Sequence, residues 1–215
     1  MTKTTTQDRI RIVTPEFRVS FPRVFEAKAV NVGDKAKFSI QMLFRVKADP
    51  KKPHEVVVDI TPLKNAVKAV LVQQFGPDQS KWPAFKKPDG SPAVRLPFRD
   101  GKEKGEVDGY GYGDGIVFCS ATSINKPEVV DQQKNPILVP SDFYGGCFAR
   151  ASLNLYWYEV KGNKGVALGL QNIQKLRDGE PFSGRSRASD DFDAIPLPAS
   201  SEDNGGDSTG DPLGL

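Results

Sequence analysis

From Lys37 to Lys47 the side chains alternate with period two. Phe38, Ile40, Met42, Phe44 and Val46 fall on one face, and Lys37, Ser39, Gln41, Arg45 and Lys47 on the other, with Leu43 the exception. Successive side chains of an extended chain point to opposite sides, so this pattern predicts a strand with one buried and one cationic face. The stretch from Cys147 to Tyr158 repeats the alternation. Cys147, Ala149, Ala151, Leu153, Leu155 and Trp157 face one way; Phe148, Arg150, Ser152, Asn154, Tyr156 and Tyr158 face the other. Two such strands point to a small barrel or highly curved sheet with an apolar inside and a basic, aromatic outside.

The rest of the chain is mostly strand as well. Arg9–Val13 and Phe17–Phe21 read as strands broken at Pro15 and Pro22, because proline cannot donate to a ladder. Further strands are expected at Ile116–Ser123 and from Gly165 to Leu176. Thr61-Pro62 reads as an N-cap followed by proline at the first helical position. Leu63, Val67, Val70 and Leu71 then recur at helical spacing until Gly76-Pro77. Residues 76–115 carry Pro77, Pro83, Pro88, Pro92 and Pro97 and the run GYGYGDG, which predicts a long excursion of loops with a hairpin.

Net charge is +3, which by itself argues against a polyanionic partner, but its distribution reverses that inference. Residues 188–215 hold seven of the 27 acidic residues and none of the 30 basic ones, so a body of +10 carries a tail of −7. A body of that charge attracts polyanions, with an affinity that falls as salt rises. The tail is rich in Ser, Gly, Asp and Pro and is expected to be disordered. Two units follow, 1–187 and 188–215. Asp207, Asp211, Leu213 and Leu215 are the tail residues expected to meet partners. At 38% hydrophobic and 27% charged, the composition is that of a globular protein. No apolar run approaches the ~18 residues of a membrane span, and the first residues lack a signal-peptide apolar core. Two cysteines and one histidine exclude a disulfide framework and a four-ligand zinc site of Cys and His. The expectation is a soluble intracellular protein with reduced thiols and no metal or other cofactor.

Enzymatic signatures are sparse. GYGYGDG departs from G-x-G-x-x-G, and GNKG at 162–165 has neither the spacing nor the Lys-Ser/Thr pair of a phosphate loop. His54 sits in the polar loop ADPKKPHEV, a poor place for a preorganised base. Asp100, Glu103, Glu106, Asp108 and Asp114 do cluster in the excursion. They leave open an alternative reading as a metal-dependent nuclease.

Residues 142–193 then resemble the C-terminal half of a family of bacteriophage single-stranded DNA-binding proteins. The resemblance rests on Phe143-Tyr144-Gly145-Gly146-Cys147, Lys164-Gly165-Val166, Leu170-Gln171-Asn172-Ile173-Gln174, Arg177-Asp178-Gly179 and Asp190-Asp191-Phe192. Earlier pieces agree: Thr14-Pro15, Ser20-Phe21-Pro22, Pro97-Phe98-Arg99-Asp100-Gly101, Lys126-Pro127 and Val129-Val130-Asp131. The T7-like phage single-stranded DNA-binding proteins look similar in plan. Their tails end in an aromatic residue, whereas this chain ends Pro212-Leu213-Gly214-Leu215.

The resemblance implies a mainly β, elaborated OB-fold barrel with one or two helices, binding single-stranded DNA without strong sequence preference in the host cytoplasm. It implies a role in replication or recombination and a tail that modulates binding or recruits partners. Bases stack on aromatic rings while cations meet phosphates. The stacking candidates are Tyr156, Tyr158 and Phe148, with Trp82, Phe98, Tyr110 and Tyr112 from the excursion. The phosphate candidates are Lys37, Arg45, Arg99, Lys102, Lys104, Lys126 and Arg150.

Overall fold

The computed structural model describes residues 9–29, 33–50, 55–105, 110–160, 162–182 and Asp193. Contacts divide the chain into Met1–Gly184 and Arg185–Leu215, and the fold below is that of the first unit. Its strands are β1 (Ile10–Val13), β2 (Phe17–Lys28), β3 (Lys37–Arg45), β4 (Arg99–Asp100), β5 (Ile116–Ser123), β6 (Glu128–Val130), β7 (Phe148–Val160) and β8 (Asn163–Arg177). Among the described residues one α-helix, α1 (Thr61–Phe75), lies between β3 and β4. Among those residues no helix is long and apolar enough to cross a membrane.

The pairings close a ring in the order β2-β3-β5-β8-β7 and back to β2. Every pair in it is antiparallel except β5–β8. Numbered along the chain, these five strands run 1-2-3-5-4-1, the strand order of an OB barrel. The parallel seam is completed in pieces. β8 receives the segment at Arg95 beside Gly165, β5 at Gly169, and β6 at Asn172–Gln174, all parallel. β4 pairs with the other half of β5, so residues 95–100 of the excursion fill the gap where β5 and β8 part.

The alternating residues build the interior as expected. Ile40, Met42 and Phe44 of β3 and Cys147, Ala149, Ala151, Leu153 and Leu155 of the 147–155 run are fully buried. They share one core with Phe17, Val19, Leu168, Leu170 and Ile173, and with Leu63, Val67, Val70 and Leu71 of α1. Each such side chain contributes about 1.5–3 kcal/mol on leaving water. Burial pushes the Cys119 thiol pKa up, which leaves it an apolar filler.

Two local expectations are corrected. Thr61 begins α1 instead of capping it; Ile60 holds the cap position and the Asp59 carboxylate accepts the Thr61 N–H at 2.8 Å. Pro22 does not end a strand. β2 runs on to Lys28 because the ladder to β3 shifts register between Ser20 and Arg23, and the bulge absorbs the missing donor. Phe21 in that bulge has φ +44°. The excursion does contain the expected hairpin. Lys86 bridges Pro92 around Asp89-Gly90, with Gly90 at φ +79°.

Candidate nucleic-acid interface

Cross-strand register defines which side chains share the outside of the barrel. Ser20, Gln41 and Ser120 form one row across β2, β3 and β5. Arg23, Ser39, Thr122, Gly169 and Asn154 form the next, reaching β8 and β7. Along the β7–β8 hairpin the outward pairs are Arg150–Gln174, Ser152–Asn172, Asn154–Gly169, Tyr156–Ala167 and Tyr158–Gly165. The middle of this surface is therefore floored by small residues. A Cβ on Gly169 would stand 3.3 Å from the Tyr156 ring and 3.1 Å from the Asn154 carbonyl oxygen. One on Gly165 would collide with the Arg95 carbonyl, so glycine is what lets residue 95 join the sheet.

Tyr156 is 38% exposed and Tyr158 half-buried. Beside them runs a groove of about 290 Å³ lined by Arg95, Arg99, Ser120, Thr122, Tyr158 and Ala167. It places aromatic faces, hydroxyls and guanidinium groups together. Arg95 is exposed and is held by backbone hydrogen bonds to Lys164 and Val166. It was not among the sequence candidates: no periodicity marks a face there, and it lies outside the Pro97–Gly101 piece that carries the resemblance.

Of the candidate cations, Lys37, Arg99, Lys102, Lys104, Lys126 and Arg150 are exposed. Arg99 lies 5.1 Å above the Phe118 ring and bonds Glu103 at 2.8 Å. Arg150 donates to the Gln174 side chain at 2.9 Å, at the far end of the same β7 row. Lys102 and Lys47 both bind Asp114, at 2.7 and 3.1 Å, and hydrogen bonds from the two ammonium groups hold its carboxyl at a pKa of about 2.

Arg45 is a correction. Alternation puts it on an open cationic face, but its side chain is 7% exposed. Its Nε donates to Glu55, itself 6% exposed, and Glu55 also accepts from Arg18 at 2.8 Å. Desolvation lowers the Arg18 pKa, opposed by Glu55. Phe148 is a second correction. It is 8% exposed and flanked by cations, with the guanidinium carbons of Arg177 3.4 Å and Arg18 5.7 Å from its centroid.

The excursion aromatics divide. Trp82 donates its indole N–H to the Gly76 carbonyl at 2.9 Å and packs on Phe75 and Phe85, an anchor holding the excursion to the core. Phe98 packs partly buried against the same core. Tyr112 is tied to the sheet. Its hydroxyl donates to Gln41 and lies 3.2 Å from Ser20 Oγ, and its ring meets Phe118 edge-on at 5.2 Å. Burial raises its pKa. With Phe182 it covers Leu43, Ile116 and Phe118, a second small core on the outside of β3 and β5. That explains why Leu43 broke the alternation. Only Tyr110 remains outward, 40% exposed.

The described carboxylates of the excursion cluster are engaged. Asp100 and Glu103 form a capping box at Gly101–Lys104, and Asp114 is held by two lysines. Among the described residues no group of three or more His, Cys, Asp or Glu is placed to hold a metal ion. Glu106, Asp108, His54, Asp207, Asp211, Leu213 and Leu215 lie outside the described residues.

The family model described as Enterobacter phage Enc34, ssDNA-binding protein, matches residues 10–205. The chain belongs to this family. A relative, putative protein p50 of Acyrthosiphon pisum secondary endosymbiont phage 1, is 28% identical over 190 residues, 87% of this chain and 95% of that one. The single-stranded DNA-binding protein of bacteriophage Enc34, solved in complex with ssDNA, superposes with TM-score 0.58 at 18% identity. The match covers 84% of this chain and 96% of that chain. The single-stranded DNA-binding protein gp2.5 of bacteriophage T7 superposes with TM-score 0.50 at 13% identity, covering 94% and 100%. The Enc34-type family thus shares the barrel as a whole, well beyond the C-terminal half where the motifs are densest.

Proposed function

We propose that this chain binds single-stranded DNA along the outer surface of β5, β8 and β7, with little preference for sequence. The observation that carries the reading is one continuous surface. Tyr156 and Tyr158 stand over a floor of Gly165, Ala167 and Gly169, with Arg95 and Arg99 at one side and Arg150 at the end of the row. Bases of any identity stack on tyrosine, and guanidinium groups meet phosphates, so the site recognises unpaired strands by their exposed faces. From Arg150 to Tyr158 the strand rises about 26 Å at ~3.3 Å per residue, room for several nucleotides. Lys37 and Lys126 extend the positive surface, while Lys102 reaches phosphate only by exchanging its bond to Asp114.

Membership of the Enc34-type family supports this binding role over the nuclease alternative. The protein acts in the host cytoplasm, protecting strands opened in replication or recombination. Its acidic segment competes with DNA for the +10 body, and Asp207, Asp211, Leu213 and Leu215 recruit replication or recombination proteins. No cofactor enters this mechanism.

The test is anisotropy of a labelled oligo-dT in rising salt, beside a duplex of equal length. Binding that is independent of salt, or equal for the duplex, removes this reading. Cleavage of the labelled strand in magnesium or manganese restores the nuclease. A chain truncated after Ser189 binds oligo-dT more tightly than the full chain if the acidic segment competes; unchanged affinity leaves that segment as a partner hook or spacer.

A further inference from the structure

The β2 bulge places one side chain where the strand pattern would not. Phe17 and Val19 point into the core, and continued alternation would send Phe21 after them. The register shift turns it outward instead, to 48% exposure, at φ +44°. A bulky residue in the left-handed region is strained, and such strain gathers at functional sites. The exposed ring is not isolated. It stacks on exposed Tyr110 with centroids 5.5 Å apart and planes 11° from parallel. Gly111, at φ +75°, and Tyr112, bonded to Gln41 and Ser20, fix the chain that presents Tyr110.

The position of this pair in the sheet suggests its occupant. Phe21 lies two residues before Arg23, whose row Arg23–Ser39–Thr122 leads past the Tyr112 roof to the groove that holds Tyr158. The pair therefore stands at the β2 side of the surface, and Tyr156 and Tyr158 at the β7 side. Counted across β3, β5 and β8, four interstrand steps of about 4.8 Å separate the two, roughly 19 Å; the direct β2–β7 pairing lies at Phe17 and Arg18, away from both. Arg23, two residues beyond Phe21, is exposed on the same surface. A preformed planar stack beside a cation suits an unpaired nucleobase with its phosphate.

We propose that Phe21 and Tyr110 form a second base-stacking platform, on which a nucleobase of the same strand continues the stack as a third ring. This rests on the proposed binding of single-stranded DNA and adds to it a second contact point on the opposite side of the surface. The strand then crosses β3 and β5 between two aromatic banks.

The experiment uses the full chain and oligo-dT of rising length, with Tyr110→Ala, Phe21→Asn and Tyr158→Ala. Asparagine tolerates the left-handed conformation, so Phe21→Asn removes the ring without adding strain. Near-UV circular dichroism and urea denaturation check each fold. Both platform variants are expected to weaken binding of long oligo-dT about 5- to 50-fold while leaving the shortest bound oligomers unchanged. Oligomers carrying 5-iodouracil are expected to cross-link to Phe21 or Tyr110. If wild type binds, Tyr158→Ala weakens it, and both platform variants bind every length like wild type without cross-linking, the pair is only a clasp and this proposal falls. If wild type binds no single-stranded DNA, the parent reading falls with it.

Discussion

Two parts of the barrel's outside carry the same kinds of residue and are covered differently. Outside β2, β3 and β5, Arg18, Leu43, Arg45 and Phe118 are roofed by Tyr112, Phe182 and the loop that bears Glu55. Outside β7 and β8, Arg150, Tyr156 and Tyr158 face solvent over a glycine and alanine floor. Period two separates inside from outside but does not distinguish an uncovered outside from one that another segment lies over. A cation beneath such a roof must find a carboxylate, since an unpaired buried charge is costly. A cation in the open stays hydrated and available to phosphate. On the proposed function, the first surface serves stability and the second serves the ligand.

The most severe way to break this comparison is to orphan a charge under the roof. Glu55→Gln leaves Arg18 and Arg45 without their shared carboxylate and is expected to cost about 3–5 kcal/mol of stability in urea denaturation. Phe148→Ala removes a ring flanked by Arg18 and Arg177 and is expected to cost a comparable ~3–5 kcal/mol, with oligo-dT affinity per folded molecule preserved. Equal stability but lost binding in either variant would invert the assignment of the two surfaces.

On the open surface the signs reverse. Tyr156→Ala and Tyr158→Ala are each expected to weaken oligo-dT binding by about 1–3 kcal/mol by anisotropy, with stability nearly unchanged. Arg95→Ala is expected to lower the slope of log affinity against log salt by about 0.7, the value of one phosphate contact on a single strand. A slope equal to wild type would move the phosphate path away from the groove.

The smallest effect concerns Asp114. Its folded pKa lies below its unfolded value, so its ion pairs stabilise the fold above the unfolded pKa and lose that contribution as pH falls through about 2. Carbon-detected NMR titration should find this carboxylate ionised at pH 3; a midpoint near 4 would mean that Lys47 and Lys102 are not held by it.

Much of the architecture was legible along the chain. The alternation of Lys37–Lys47 and Cys147–Tyr158, and the helical spacing from Leu63 to Leu71, each record a local geometry in nearest neighbours. The proposed binding surface was legible only where it follows that alternation, at Arg150, Tyr156 and Tyr158. Arg45 and Phe148 obey the same rule and are buried, because Glu55 and Arg177 approach from distant parts of the chain. Arg95 and Phe21 escaped it for the opposite reason. One sits in an irregular segment, and the other is turned outward by a bulge that no period describes.

Composition and periodicity alone determined that this chain forms a mainly β body carrying +10 beside a segment carrying −7, since charge is additive and strand alternation is local. Only the tertiary structure decided which outward residues stay outward. Coverage depends on segments far apart in sequence, such as residues 110–118 and Phe182 closing over Leu43, and on small residues such as Gly165 that let one segment approach another.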